Sequence, residues 1–287
     1  MSAPRIRRKG PKQPPLPVVR GAVFVAVATY DGTVDVRLTA ALLHEFHLLQ
    51  QAGWVTAFDA LEGCCYVEVA RNKLADRFLR DHWTDPRGAQ KTFSDLVFMD
   101  ADVHFGPGAL LRLLSHNVDV VFGATPLKHD REGYPCELVR DAHGGASSDP
   151  ATGLIEAVYG PAGFLRIRRG ALAELAASAQ VPEVIERTPR GDEIGKYRAF
   201  FQTMHVGSRF VGEDVLFFER WRAHRGRAWL DPEIALLHRG SKTWVGHAGN
   251  YLRAREAEAR MERQAQERLA ASQQAASPQA EQPQAAD

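Results

Sequence analysis

Leu96-Val97-Phe98-Met99-Asp100-Ala101-Asp102 decides how this chain is read. Four apolar residues run straight into two carboxylates spaced i, i+2. An apolar run that short suits a strand buried on both faces of a sheet. Asp100 and Asp102 then fall where the strand ends, and open α/β sheets bind ligands just beyond the carboxyl ends of their strands. Two carboxylates at this spacing can reach one hard cation, and Mg²⁺ or Mn²⁺ takes oxygen ligands. Asp-X-Asp also occurs by chance in loops, so the context carries weight. Val103-His104-Phe105 and Gly106-Pro107-Gly108 come next, then the apolar-periodic stretch Ala109 to Leu114, and Pro107 suits a helix start.

Upstream, Ala22 to Ala28 is a second buried strand that ends at Thr29-Tyr30-Asp31-Gly32, a turn by composition. Leu38, Leu42, Phe46 and Leu49 then repeat at helical spacing, and Gly53 ends the helix. Strand, polar turn and helix are the opening of a nucleotide-binding α/β unit. Trp54 to Phe58 reads as a strand ending at Asp59, an acid that is either solvated or set to bind a base or ribose. Ala70, Leu74 and Phe78 form the core stripe of another helix. Arg71 and Asn72 lie off that stripe, and Arg71 suits either a surface salt bridge or a fork onto phosphate oxygens. His82 to Ser94 reads as a polar loop.

Downstream, Val118 to Gly123 reads as a strand that leaves through Ala124 to Lys128. Lys128 is either an ordinary loop lysine or a phosphate neutraliser. Residues 129–153, rich in Gly, Asp and Ser, form an irregular excursion before a strand from Leu154 to Tyr159. Gly160-Pro161-Ala162-Gly163 allows close approach to the backbone. Arg168 to Ala179 is an amphipathic helix, Pro182 to Gly195 a loop, and Phe200 to Gln202 a short strand. Gly212-Glu213-Asp214 opens a helix that ends at Gly226, and the helix dipole alone favours two acids in a first turn. Ile234 to Leu237 is a strand that delivers His238, with Lys242 four residues on.

An ordinary share of hydrophobic residues, 45%, and a net charge of +1 give no global case for nucleic acid or a membrane surface. Cys64, Cys65 and Cys136 are odd in number and two are adjacent, which argues against a disulfide framework and for a reducing, cytoplasmic setting. No apolar run reaches about 18 residues, so no membrane span is expected. No apolar segment opens the chain, so no secretory signal is expected either. Three segments follow: a disordered, basic, Pro-rich arm over 1–20, one α/β domain over 21–250, and a tail over 251–287. The tail is helical at first and then, from Ala271, disordered and Ala/Gln-rich. The arm is either a solvated tail or a polyanion-binding segment.

Phe98 to Val103 with Pro107 and Leu110 resembles the Asp-X-Asp segment of nucleotide-sugar-dependent glycosyltransferases of the GT-A fold, in particular family 2-like microbial or phage enzymes. Further segments match in the family's order: Thr29-Tyr30, Ala70-Arg71-Asn72, Gly160 to Gly163, Glu213-Asp214 and His238. The resemblance implies a three-layer sandwich with a mostly parallel central sheet, and Mn²⁺ or Mg²⁺ held by Asp100, Asp102 and His238. It implies a UDP- or GDP-sugar donor contacted by Thr29, Tyr30, Asp59, Arg71 and Asp100. Ala162 and Gly163 would line the sugar, and Lys128 and Lys242 would face phosphate. His238, Gly240 and Lys242 are spaced more tightly than the family's His-X-X-Gly-X-X-Lys. Asp214 would take the proton of an acceptor hydroxyl, with Glu213 beside it. Glu213-Asp214 points to an inverting enzyme, whereas the His-Gly-Lys echo belongs to retaining ones. Two other readings stay open. One is a nucleic-acid-binding protein that uses the basic arm, which merges with the first if the acceptor is hydroxymethylated DNA. The other is a metal-dependent nucleotidyltransferase or phosphatase.

Overall fold

Val23, Val25 and Val27 point to one side of strand β1 (Gly21–Ala28), and Ala22, Phe24 and Ala26 to the other; all six are buried. A strand apolar on both faces needs a layer on each side. The computed structural model, which describes residues 19–142 and 144–276, supplies both. In chain order the next strands are β2 (Trp54–Leu61), β3 (His82–Thr84), β4 (Gln90–Thr92), β5 (Asp95–Asp100) and β6 (Val103–Phe105). β7 (Val120–Phe122), β8 (Glu137–Leu138), β9 (Ile155–Tyr159) and β10 (Phe164–Arg168) follow. Then come β11 (Glu183–Arg187), β12 (Glu193–Arg198), β13 (Met204–Val206) and β14 (Arg209–Val211). β15 (Ala228–Leu230), β16 (Ala235–Arg239) and β17 (Thr243–His247) complete the strands. The helices are α1 (Val36–Gln51), α2 (Val67–Arg80), α3 (Ala109–Ser115), α4 (Arg169–Ala177), α5 (Glu213–Ala223) and α6 (Ala248–Ala276).

Eight strands form one mixed sheet in the order β2-β1-β5-β10-β7-β15-β9-β8. β2, β1, β5, β7 and β15 run the same way, while β10 enters between β5 and β7 in the opposite direction. Leu38, Leu42 and Leu49 of α1 and Leu110 and Leu113 of α3 cover the valine face of β1. Leu74 and Phe78 of α2, Leu172 and Leu175 of α4 and Phe217 and Phe218 of α5 cover the phenylalanine face. The expected three-layer α/β arrangement is therefore present. The alternating residues of each central strand are shared between two cores.

A second, antiparallel sheet of order β17-β16-β6 stands beside the first. It starts where β5 ends: Asp100 closes β5, Ala101 and Asp102 form a turn, and Val103 opens β6. β6 was not foreseen, because three residues after a turn carry too little periodicity to register. The stretches read as polar loops at His82–Ser94 and Pro182–Gly195 contain the hairpins β3–β4 and most of β11–β12. These hairpins are partly exposed and lack a clean apolar alternation. Phe200 to Gln202 is not a strand. Asn72 takes the place of a neighbouring strand there: its Nδ2 donates to Phe201 O at 2.7 Å, and Phe201 N donates to its Oδ1 at 2.8 Å.

All but the last two residues of the 1–20 arm, and everything beyond Ala276, lie outside the described residues. α6 begins at Ala248 and continues five residues past Ala271. Among the described residues no helix is long and apolar enough to cross a membrane.

Candidate active site

Strand register brings Asp102 and His238 together although they are far apart in sequence. β16 pairs with β6 so that His238 lies opposite Val103, and Arg239 N donates to Asp102 O at 2.9 Å. His238 Nε2 is thereby held 3.5 Å from Asp102 Oδ1. The other ring nitrogen, Nδ1, lies 2.8 Å from the carbonyl oxygen of Pro126. A carbonyl only accepts, so Nδ1 carries a proton and donates it there, which fixes the ring with Nε2 toward the carboxylate. Lys128 Nζ sits 2.5 Å from the second carboxylate oxygen, Oδ2. Partial burial pushes the Asp102 carboxyl up, but His238 and Lys128 outweigh it and bring it down to about 2. Asp102 is ionised at any ordinary pH.

Asp100 has a different partner. Its Oδ1 accepts from Arg71 Nη2 at 2.7 Å, and Arg71 Nη1 binds Glu213 on the other side. Arg71 is buried, with a side-chain exposure of 6%. It is neither a surface ion pair nor a free phosphate ligand, but a clamp between the end of β5 and the head of α5. Gly163 closes the remaining side: its carbonyl accepts from Asp100 N at 3.1 Å, and a Cβ there would lie 2.7 Å from Asp100 Oδ2. Beside Glu213, the half-buried Asp214 accepts from Val215 N at 2.8 Å. Burial, then the charge of Glu213, push the Asp214 carboxyl above the usual carboxylate range.

A cleft of about 860 Å³ opens at the carboxyl ends of β1 and β5, where the α/β rule puts a ligand. Thr29, Tyr30, Arg71, Asp100, Asp102 and Glu213 all line it. The Thr29 hydroxyl is spent inside the turn, donating to Thr33 O at 2.7 Å, whereas the Tyr30 ring is 71% exposed.

Other expected residues are not brought to the cleft. Asp59 is not at a strand end: it pairs across from Ala26 inside β2, and Arg77 holds its carboxylate. Ala162 is buried in the α2/α4/α5 core. Lys242 binds Asp130 and lies 5.5 Å from the centre of the Trp244 ring. Asp214, His238, Lys128 and Gly163 are not among the lining residues, although Asp214 and His238 each adjoin one in sequence, Glu213 and Arg239.

Three residues that sequence reasoning missed belong to this site. Asp35, the N-cap of α1, accepts from Arg37 N at 2.8 Å and binds the guanidinium of Arg239, and its own N donates to Ala101 O at 3.0 Å. His104, buried behind them, has Nε2 3.0 Å from Asp35 Oδ1, off the angle of a hydrogen bond. Asp35 and Arg239 both line the cleft and pin the Ala101-Asp102 turn from either side. An acid just before an apolar helix is a capping signal legible in sequence. Arg239 carried no signal beyond standing next to His238.

A metal ion fits this site only in part. Among the described residues no three His, Cys, Asp or Glu side chains gather into a group that could hold one. Asp102 and His238 present an oxygen and a nitrogen donor to the same space, and the Pro126 carbonyl orients the imidazole as metal-bound histidines are oriented. Asp100, expected as a further ligand, is engaged by Arg71 instead. Mg²⁺-type sites often use one or two protein ligands and draw the rest from substrate phosphates and water. Asp102 on the cleft wall with His238 beside it suits that pattern. No protein-family model matches the chain, and no curated protein is similar to it in sequence.

Proposed function

We propose that the chain is a metal-dependent glycosyltransferase of the GT-A type, moving a sugar from a nucleoside-diphosphate sugar to an acceptor hydroxyl. The observation that carries this reading is the 3.5 Å approach of His238 Nε2 to Asp102 Oδ1 beside a cleft at the strand ends. Asp102 and His238 would hold Mn²⁺ or Mg²⁺. When bound, that ion would supply Lewis-acid stabilisation of charge on the departing diphosphate.

The chain's own groups do the rest. Arg239, at the cleft wall, offers a guanidinium to the diphosphate. Tyr30 offers an exposed ring face to the nucleoside. Arg71 fixes Asp100 and Glu213. Asp214 is held by no ion pair among the described residues, and its raised proton affinity suits a general base. It accepts the acceptor's hydroxyl proton as the oxygen attacks the anomeric carbon. The bond from that carbon to the phosphate oxygen breaks, and nucleoside diphosphate leaves. A single displacement of this kind inverts the anomeric centre.

A panel of UDP-, GDP-, ADP- and dTDP-sugars, scored by thermal shift with and without Mn²⁺ and by product analysis, tests the proposal. One donor is expected to raise Tm in a Mn²⁺-dependent way and to release nucleoside diphosphate, and Asp102→Ala is expected to abolish both effects. Full activity in Asp102→Ala, or pyrophosphate as the product, would reject it.

A further inference from the structure

We propose that Lys128 is a displaceable counter-ion. It occupies Asp102 when the site holds neither metal nor nucleotide, and passes to the donor's phosphates when a divalent ion takes the carboxylate. The inference rests on the metal-binding reading above and adds a regulatory property to it: ion and nucleotide bind cooperatively because each removes an obstacle to the other.

Three observations point this way. Lys128 Nζ lies on Asp102 Oδ2 while His238 Nε2 faces Oδ1, so lysine and imidazole share one carboxylate. A cation bridging Asp102 and His238 competes with the ammonium for the same charge. The lysine contact is also easily broken, because the two side chains are 38% and 41% exposed and solvent screens such a pair. Finally, the lysine stem has a path into the cleft. Its Cδ would lie 3.2 Å from a Cβ on Gly240, a cleft-lining residue that leaves the stem room by having no side chain. A four-carbon stem carries its point charge from the carboxylate to a phosphate above the cleft floor without backbone movement.

Among the described residues, Lys128 is the one lysine or arginine in ion-pair contact with Asp102. Arg239 places Nη1 on Asp35 rather than on Asp102, and Arg71 is held by Asp100 and Glu213. Without Lys128, no ammonium competes with a divalent ion for the Asp102 carboxylate.

The test is Mn²⁺ titration by electron paramagnetic resonance on the full chain, on Lys128→Met and on Asp102→Asn, each with and without UDP. Without nucleotide, Lys128→Met is expected to bind Mn²⁺ about three- to fivefold more tightly than the unaltered chain. With UDP present that advantage is expected to vanish or reverse, because the phosphate contact is lost as well. A lysine with a merely structural role gives no such change of sign. Equal or weaker Mn²⁺ binding by Lys128→Met without UDP overturns the inference alone, provided Asp102→Asn still loses the ion. An advantage that persists unchanged with UDP also overturns it. Absence of Mn²⁺ binding by the unaltered chain and by Lys128→Met, with or without UDP, overturns both the inference and the metal-binding reading.

Discussion

Replacing Arg71 by Met removes one charge from between two acids while keeping most of the stem volume. Among the described residues Arg71 is the one basic group that bridges Asp100 and Glu213, and its side chain is 6% exposed against 34% and 17% for theirs. Breaking a buried pair by removing one partner costs roughly 3–5 kcal/mol. Water reaches Asp100, so the lower end applies, about 3 kcal/mol at neutral pH. For a domain of this size that corresponds to a fall in Tm of roughly 6–12 °C. Urea denaturation at pH 7 measures the gap between variant and unaltered chain, and Arg71→Met/Glu213→Gln is expected to recover part of the loss. A gap below about 1 kcal/mol, or no recovery in the double variant, would refute the clamp.

Asp214→Asn should lower turnover by about 10²- to 10⁴-fold. It should also raise Tm at neutral pH, since burial and Glu213 make the ionised carboxylate unfavourable in the fold, and the gain should fade as pH falls toward 3.8. An unchanged pH–rate profile would remove Asp214 from the base role. Gly163→Ala puts a methyl group 2.7 Å from Asp100 Oδ2 and 3.2 Å from Thr125 Oγ1. A loss of about 1–3 kcal/mol in stability, together with weaker nucleotide-sugar binding, is expected, and both are readable by thermal shift. Arg166→Met removes the counter-ion of Asp95, which Arg166 Nε holds at 2.6 Å with both side chains at most 5% exposed, and leaves it the Ser94 hydroxyl at 2.7 Å. This should cost about 3–5 kcal/mol in chemical denaturation.

The parts of this fold that show in sequence are those with strong local patterning. The runs Ala22–Ala28 and Leu96–Met99 announce buried strands because every residue is apolar, and the stripe from Leu38 to Leu49 announces α1. Strand direction leaves no such mark, so the reversed β10 was not legible from the run Phe164–Ile167. Short exposed hairpins such as β3–β4 were missed because exposure erases alternation. At the site, the meeting of Asp102 with His238 was anticipated from residue type and resemblance. Its cause, the β6–β16 ladder, was not, since pairing of distant three- and five-residue strands is a property of the assembled fold. Arg71 was placed on the right helix, but no local pattern foretold that two acids from distant segments would claim its guanidinium. Asp59 and Lys242 went the other way: residues at apparent strand ends, each taken up by a neighbour of opposite charge.

The direction of β10 has one further effect. Parallel strands hand their following loops to one rim of the sheet, while a reversed strand hands over the loop that precedes it. Gly160 to Gly163 reaches the rim beside Asp100 for this reason. The end of a parallel strand and the loop entering a reversed one thus meet at Asp100, so a change in the length of Gly160 to Gly163 would be felt at that carboxylate with β5 itself untouched.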